Sequence, residues 1–175
     1  MEFKIAQQLK EHLREGRYLP FVITKEVLYW QKGEEEMARQ ILFPGYVMIK
    51  ADLNALTESD IVNDMRIIVD DFSHIMKVLS YGSDENILIS ESEQAVWESL
   101  LDSDFCIRAS EGIFAENKLK VTSGALVGKE SLVKKYSLRK RKAFLDVEFA
   151  DEMMSIGLVL KINDIQRKEE KSKKR

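Results

Sequence analysis

The sequence predicts an α+β first half followed by a small β-barrel, and three observations carry that expectation. Apolar residues recur at helical spacing in three separate stretches of the first hundred residues. After Asp102-Ser103-Asp104 the apolar period drops to two, the spacing of half-buried strands. The charge balance changes sign at the same place. Residues 1–104 carry 10 Lys and Arg against 20 Asp and Glu, a balance of −10, whereas residues 105–165 carry 11 against 8, a balance of +3. The last ten, 166–175, carry 6 against 2, a balance of +4. A split of this kind suggests two modules with different partners. The expected units are residues 1–104, residues 105–165 and a basic, disordered tail at 166–175.

In the first unit, Ile5, Ala6, Leu9 and Leu13 place an amphipathic helix over about 3–15 that Gly16 ends. Pro20 precedes Phe21–Thr24 and Val27–Trp30, whose β-branched and aromatic residues suit strands. Residues 32–36 read as a polar, hairpin-like excursion, and Tyr46–Ala51 as the next strand. Thr57 with Asp60 starts a second helix bearing Ile61, Val62 and Met65. Ile75–Leu79 reads as a short strand and residues 81–84 as a turn. Ser90 and Glu93 have the spacing of a capping box ahead of Val96, Trp97, Leu100 and Leu101. In the second unit, Ala143, Leu145, Val147 and Phe149 alternate with Phe144, Asp146, Glu148 and Ala150. Met154, Ile156, Leu158 and Leu160 repeat the pattern one strand later. Four or five short strands with tight turns in some sixty residues fit a small barrel, and strands rather than a helical hairpin suit this period. Gly124 and Gly128 serve its turns and Gly112 its entry loop.

At 175 residues with 45% hydrophobic composition, the chain can bury real cores. No apolar run approaches the roughly 18 residues that span a bilayer, and the start, Met1-Glu2-Phe3-Lys4, is too polar for a signal peptide. A single cysteine, Cys106, excludes an internal disulfide framework. The expectation is a cytoplasmic, soluble monomer without a membrane segment.

Two motifs stand out. Leu42-Phe43-Pro44-Gly45-Tyr46-Val47-Met48-Ile49-Lys50 sets a rigid corner between two aromatics ahead of a strand. Further on, Val121-Thr122-Ser123-Gly124-Ala125-Leu126-Val127-Gly128-Lys129-Glu130 leads into Lys134, Lys135, Tyr136 and the run Arg139-Lys140-Arg141-Lys142. Read from the residues, Phe43 and Tyr46 are either core aromatics at a strand entry or the rim of a shallow pocket for a partner's side chain. The basic set is either a solvated hairpin or a surface for RNA phosphates, with Tyr136 stacking on a base or packing on the barrel.

Aromatic-Pro-Gly-Tyr-Val followed by a Gly-x-x-x-Gly turn and a basic β module resembles the NusG family of transcription elongation factors. The Ser-Gly-x-Leu-x-Gly-Lys-Glu wording and the Lys/Arg run look most like its LoaP paralogue group. The resemblance covers about residues 2–165. It implies a NusG N-terminal-type sandwich, an antiparallel sheet with helices, followed by a small SH3-like KOW β-barrel. It also implies a processive antiterminator that suppresses pausing or termination. Phe43, Pro44, Gly45 and Tyr46 match the segment that docks on the clamp region of RNA polymerase. Lys134, Lys135, Tyr136, Arg139, Lys140, Arg141 and Lys142 fall where the LoaP-like group recognises a hairpin in nascent RNA. The family's first strand, which precedes the first helix, is missing ahead of Met1; a misassigned start, a truncated chain or a sheet rebuilt around the gap would each account for it, and the first two are the expected causes. Rival readings are a housekeeping factor of the same fold whose barrel binds a termination or ribosomal protein, and a ribosome-associated KOW protein that binds RNA.

Catalysis and cofactors are not expected. His12 sits on a helix beside the core, and His74 and Cys106 belong to different units with no motif joining them. Cys and His together number three, with no metal-ligand spacing. Gly124 and Gly128 lack the Gly-Lys-Ser/Thr ending of a phosphate-binding loop. The carboxylates at 34–36 and 84–93 read as solvated faces.

Overall fold

The computed structural model describes residues 1–73, 75, 77–79, 87–115, 118–149 and 152–166, with the backbone alone for 164–166. Helix α1, Glu2–His12, buries Ala6 and Leu9. It stops earlier than the apolar spacing predicts because Leu13 turns to extended backbone while still burying its side chain. Gly16, at φ +74°, then reverses the chain into strand β1, Tyr18–Phe21. Pro20 lies inside that strand rather than ahead of it, opposite Ile49.

Strands β2, Thr24–Gln31, and β3, Glu34–Ile41, form a regular hairpin. Its turn residues Lys32 and Gly33 both have positive φ, 54° and 87°, the geometry whose twist matches paired strands. The sequence predicts only a polar excursion here. Glu34-Glu35-Glu36-Met37-Ala38-Arg39-Gln40 has no apolar alternation because most of β3 is exposed and its order comes from pairing with β2.

Strand β4, Met48–Ala51, starts two residues later than predicted and pairs antiparallel with β1. Helix α2, Glu58–Asp71, opens with the expected cap: Thr57 Oγ1 accepts from Asp60 N–H at 3.2 Å, and Asp60 Oδ2 accepts from Thr57 N–H at 2.9 Å. Residues 75 and 77–79 lie outside helix and strand, which corrects the predicted strand there. The predicted turn at 81–84 falls outside the described residues. Helix α3, Glu91–Leu100, is capped by Ser90 Oγ, which accepts from Glu93 N–H at 3.1 Å.

Strand β5, Cys106–Ile107, runs parallel to β2, so the sheet order is β3-β2-β5. A two-stranded sheet and a three-stranded sheet thus replace the single antiparallel sheet expected, and the third strand of the latter, β5, comes from beyond the expected boundary at 104.

The remaining strands are β6, Ser110–Ala115; β7, Lys118–Ser123; β8, Val133–Ser137; β9, Lys142–Phe149; and β10, Glu152–Gln166. They form one curled sheet in the order β7-β6-β10-β9-β8, a half-barrel. β10 makes the curl. It runs antiparallel to β9 from Glu152 to Val159, then parallel to β6 from Leu160 onward. Ala143, Leu145, Val147 and Phe149 are buried, as their period predicts. In β10, Ile156, Leu158 and Leu160 are buried and Met154 is exposed, while Val159 is also buried where the strand changes neighbour. Gly112 lies within β6, not in an entry loop, and a Cβ there would meet Lys120 O at 2.8 Å.

Two apolar clusters result. Leu9, Leu13, Tyr18, Leu56, Ile61, Met65 and Ile68 join α1, β1 and α2. The other cluster crosses the predicted boundary: Ile23, Phe43, Trp97 and Leu100 pack with Val121, Leu145, Val147, Phe149 and Ile156. The fold is α+β, with few helices and several small sheets. Among the described residues, no helix is long and apolar enough to cross a membrane.

Candidate functional site

The Phe43–Tyr46 corner follows β3 directly. Leu42 N–H donates to Ile23 O at 2.9 Å, and Tyr46 N–H closes the turn on Phe43 O at 3.2 Å. Gly45, at φ +88°, turns its N–H toward α1 and donates to Glu2 Oε1 at 2.8 Å. That N–H is the main reason the Glu2 carboxyl is held down at about 2. The turn sorts its residues by direction: Pro44, Gly45 and Tyr46 are exposed, and Phe43 points inward at 5% exposure.

What Phe43 meets is the second unit. Its ring lies flat on Phe149 of β9, centroids 3.9 Å apart and planes 8° apart. Trp97 of α3 presents its edge to Phe43 at 5.4 Å, and Tyr46 makes an edge contact with Phe149 at 5.2 Å. A pocket rimmed by Phe43 and Tyr46 is therefore filled by Phe149. The indole Nε1 of Trp97 is buried there with no hydrogen-bond partner among the described residues.

The basic set is split between strand and turn. Lys134, Lys135 and Tyr136 belong to β8 and Lys142 opens β9. Only residues 138–141 form the turn, which Arg141 completes at φ +50° with its N–H on Leu138 O at 3.2 Å. Lys134 sits at a register shift in the β8–β9 pair, a place where a strand re-aims its side chains. Lys134, Lys135, Tyr136, Arg139, Lys140 and Arg141 are exposed and Lys142 is half-buried. Tyr136 packs against Phe114 at 4.7 Å while staying 43% exposed, so its ring is braced and still open on one side. Lys134, Lys135, Arg139 and Lys140 form no ion pair among the described residues.

Arg141 is different. Its guanidinium pairs with Glu35 of the β2–β3 hairpin, and Glu35 also pairs with Lys161 of β10. Glu35 is thus a half-buried bridging carboxylate rather than part of a solvated face. A cleft of about 440 Å³ opens beside it, lined by Leu138, Arg141, Lys161, Ile162 and Asn163. Lys25 of β2 reaches across as well, donating to Gly157 O at 3.0 Å. Burial lowers its pKa, and Lys142 adds to the shift.

The chain between the units is tied down on its first side. Arg108 pairs with Asp102, with Glu26 at 3.2 Å and with Asp104 at 2.8 Å, and Ala109 N–H donates to Glu26 Oε2 at 2.7 Å. Burial raises the Asp102 carboxyl, but the N–H groups of Cys106 and Asp104 and the Arg108 guanidinium outweigh it. The net result lies below the usual range.

Glu35, Phe149 and Arg108 are residues the sequence does not flag. Each has an ordinary local reading, and only its partner in the other unit gives it significance. His12 is exposed, with its ring edge on Phe72 at 4.8 Å; Cys106 is fully buried; His74 lies outside the described residues. Among the described residues, no group of three or more His, Cys, Asp or Glu side chains could hold a metal. No protein-family model matches the chain, and no curated protein matches it.

Proposed function

We propose that this chain is a non-catalytic transcription elongation and antitermination factor of the NusG type. Its first unit would dock on the clamp region of RNA polymerase and its half-barrel would contact nascent RNA. The observation that carries the reading is the β8–β9 hairpin. It presents Lys134, Lys135, Arg139 and Lys140 to solvent beside a braced, half-open Tyr136, in a chain whose first 104 residues are strongly acidic. Cations without competing carboxylates suit phosphates, and an aromatic with one open face suits an unpaired base. At the other surface, Pro44, Gly45 and Tyr46 are exposed beside the buried Phe43–Phe149 stack, and Tyr46 is an aromatic of the kind that anchors protein partners.

Bridging a mobile clamp through one unit would favour the closed, elongating polymerase, a population shift that needs only differential affinity for two states. Holding RNA through the other unit adds avidity by tethering two weak contacts. The test is a pull-down of core RNA polymerase with the full chain, together with a mobility shift of hairpin RNA. Retention of polymerase with no RNA shift favours a housekeeping factor whose barrel binds protein. An RNA shift with no polymerase favours a ribosome-associated RNA-binding protein.

A further inference from the structure

The cleft beside Glu35 combines apolar walls, spare cationic donors and one oriented amide. Its volume of about 440 Å³ falls within the roughly 300–1,000 Å³ of small-molecule sites. Leu138, which is exposed, and Ile162, which is half-buried, give it apolar walls. Arg141 and Lys161 line it as well, and each gives a donor to Glu35. An ammonium carries three N–H donors and a guanidinium five, so both keep N–H groups for an anion.

The fifth lining residue, Asn163, is placed by a fault in the strand pairing. Ile162 lies opposite Gly112 and Asp164 opposite Ile113, so Asn163 is an extra residue of β10 with no partner on β6. A bulge of this kind re-aims the side chain it carries. Glu111 of β6 then fixes the amide, since Asn163 Nδ2 donates to Glu111 Oε2 at 3.0 Å. A primary amide has two N–H donors and a carbonyl acceptor. One N–H and Oδ1 therefore remain side by side in a set orientation.

We propose that this cleft holds one unpaired adenine of an RNA, with Asn163 reading its edge and Glu111 as the positioning residue. The adenine N6–H donates to Asn163 Oδ1, and the adjacent ring nitrogen accepts from the remaining Nδ2–H, the bidentate pairing by which asparagine selects adenine. The base lies against Leu138 and Ile162, and its phosphate accepts from Lys161 and Arg141. Continuity with the basic hairpin favours RNA as the occupant. Leu138 and Arg141 bound the turn that carries the exposed Arg139 and Lys140, so a strand held by those two cations runs on into the cleft. Bases within a duplex are stacked and paired, so a loop base is the one that can enter. The inference rests on the RNA-binding reading of the basic hairpin and adds what charge alone does not give, a choice of sequence.

The test is fluorescence anisotropy of the full chain with hairpin RNAs that share one stem and differ only in a loop of adenines, uridines or cytidines. The adenine loop should bind about tenfold more tightly than the others, within the span of one bidentate base contact. Asn163→Leu, similar in volume but without the amide, should bring the three loops to equal affinity. It should leave the slope of log affinity against log salt unchanged, because no phosphate contact is lost. Glu111→Ala should reduce the adenine preference, and Glu111→Gln, whose amide oxygen still accepts, should restore it. Changing Lys134 and Lys135 to Ala should weaken all three loops alike. Asn163 and Glu111 are exposed, so these variants keep the fold, which an unchanged urea midpoint verifies. Equal binding of the three loops by the unaltered chain, or an adenine preference that persists in Asn163→Leu, overturns the adenine site and leaves the RNA reading standing. Failure to bind any hairpin overturns both.

Discussion

Phe43 and Phe149 lie face to face with centroids 3.9 Å apart, one from the acidic half of the chain and one from the half-barrel. The stack joins the corner after β3 to the end of β9, and Trp97 of α3 closes its side. The rings overlap almost face to face rather than offset, so the stack contributes chiefly through the apolar area it buries.

Truncating the stack should therefore be felt in stability as well as in binding. Phe149→Ala is expected to cost about 3–5 kcal/mol, the usual range for emptying a buried phenylalanine site. Phe149→Leu, which retains much of the volume, should cost clearly less. Urea unfolding followed at Trp97 measures both. A loss under 1 kcal/mol for Phe149→Ala would show that the stack is not a packed contact in solution.

Tyr46 separates binding from folding. It is exposed, with one edge contact to Phe149, so Tyr46→Ala should lower stability by only about 1 kcal/mol. Under the proposed function it should weaken polymerase binding by about 2 kcal/mol, roughly thirtyfold, as truncation of an anchoring aromatic does. Unchanged polymerase affinity in the folded variant would remove this corner from the docking surface.

RNA binding should be electrostatic in part and belong to the hairpin. With three or four phosphates engaged, log affinity should fall against log salt with a slope of about −0.7 per contact for single strands. Changing Arg139, Lys140 and Arg141 to Ala should flatten that slope and abolish preference for a hairpin over unstructured RNA. Deleting 167–175 should weaken both RNAs about equally. If the tail deletion erases binding and the triple variant does not, the hairpin is not the reader.

Gly124 tests the turn into the half-barrel. At φ +88° a side chain is already strained, and a Cβ there would lie 2.1 Å from Ala109 O, a backbone atom with little room to yield. Gly128, at φ +72°, has nothing within 4 Å. Gly128→Ala should cost about 1 kcal/mol for the backbone alone, and Gly124→Ala distinctly more. Comparable unfolding midpoints for the two would mean the Ala109 contact is absent in solution.

Acid should lower the stability of the fold. Asp102 and Glu130 both lie below their ordinary values, Asp102 through Cys106 and Asp104 N–H groups and Arg108, Glu130 chiefly through Val121 N–H. A carboxyl lowered in the folded state contributes stability above its unfolded value that is lost as pH falls through the folded one. Stability should be flat above about pH 5 and decline below the unfolded values of 3.8 and 4.5. Asp102→Asn should cost about 1–2 kcal/mol at neutral pH and shallow the decline. Urea midpoints across pH 2–7 provide the check, and an unaltered pH profile in Asp102→Asn would dismiss the assignment.

The sequence by itself determined the elements whose order is local. Thr57 with Asp60 and Ser90 with Glu93 start α2 and α3 because a cap satisfies backbone N–H groups within one turn. The Ala143–Phe149 alternation places β9 because a strand's two faces follow directly from its pleat. The charge split likewise needs no fold to be read. Tertiary structure alone decided what depends on a distant partner. The polar β3 is a strand because β2 pairs with it along its whole length, and β10 curls because it exchanges β9 for β6 at Val159–Leu160. Phe43 is buried because Phe149 arrives over it, and Glu35 is a bridge because Arg141 and Lys161 meet it from the other unit. Such contacts join residues far apart along the chain, so no window of sequence contains both halves of the interaction. Which face of an aromatic or carboxylate is covered is settled only when the two units close.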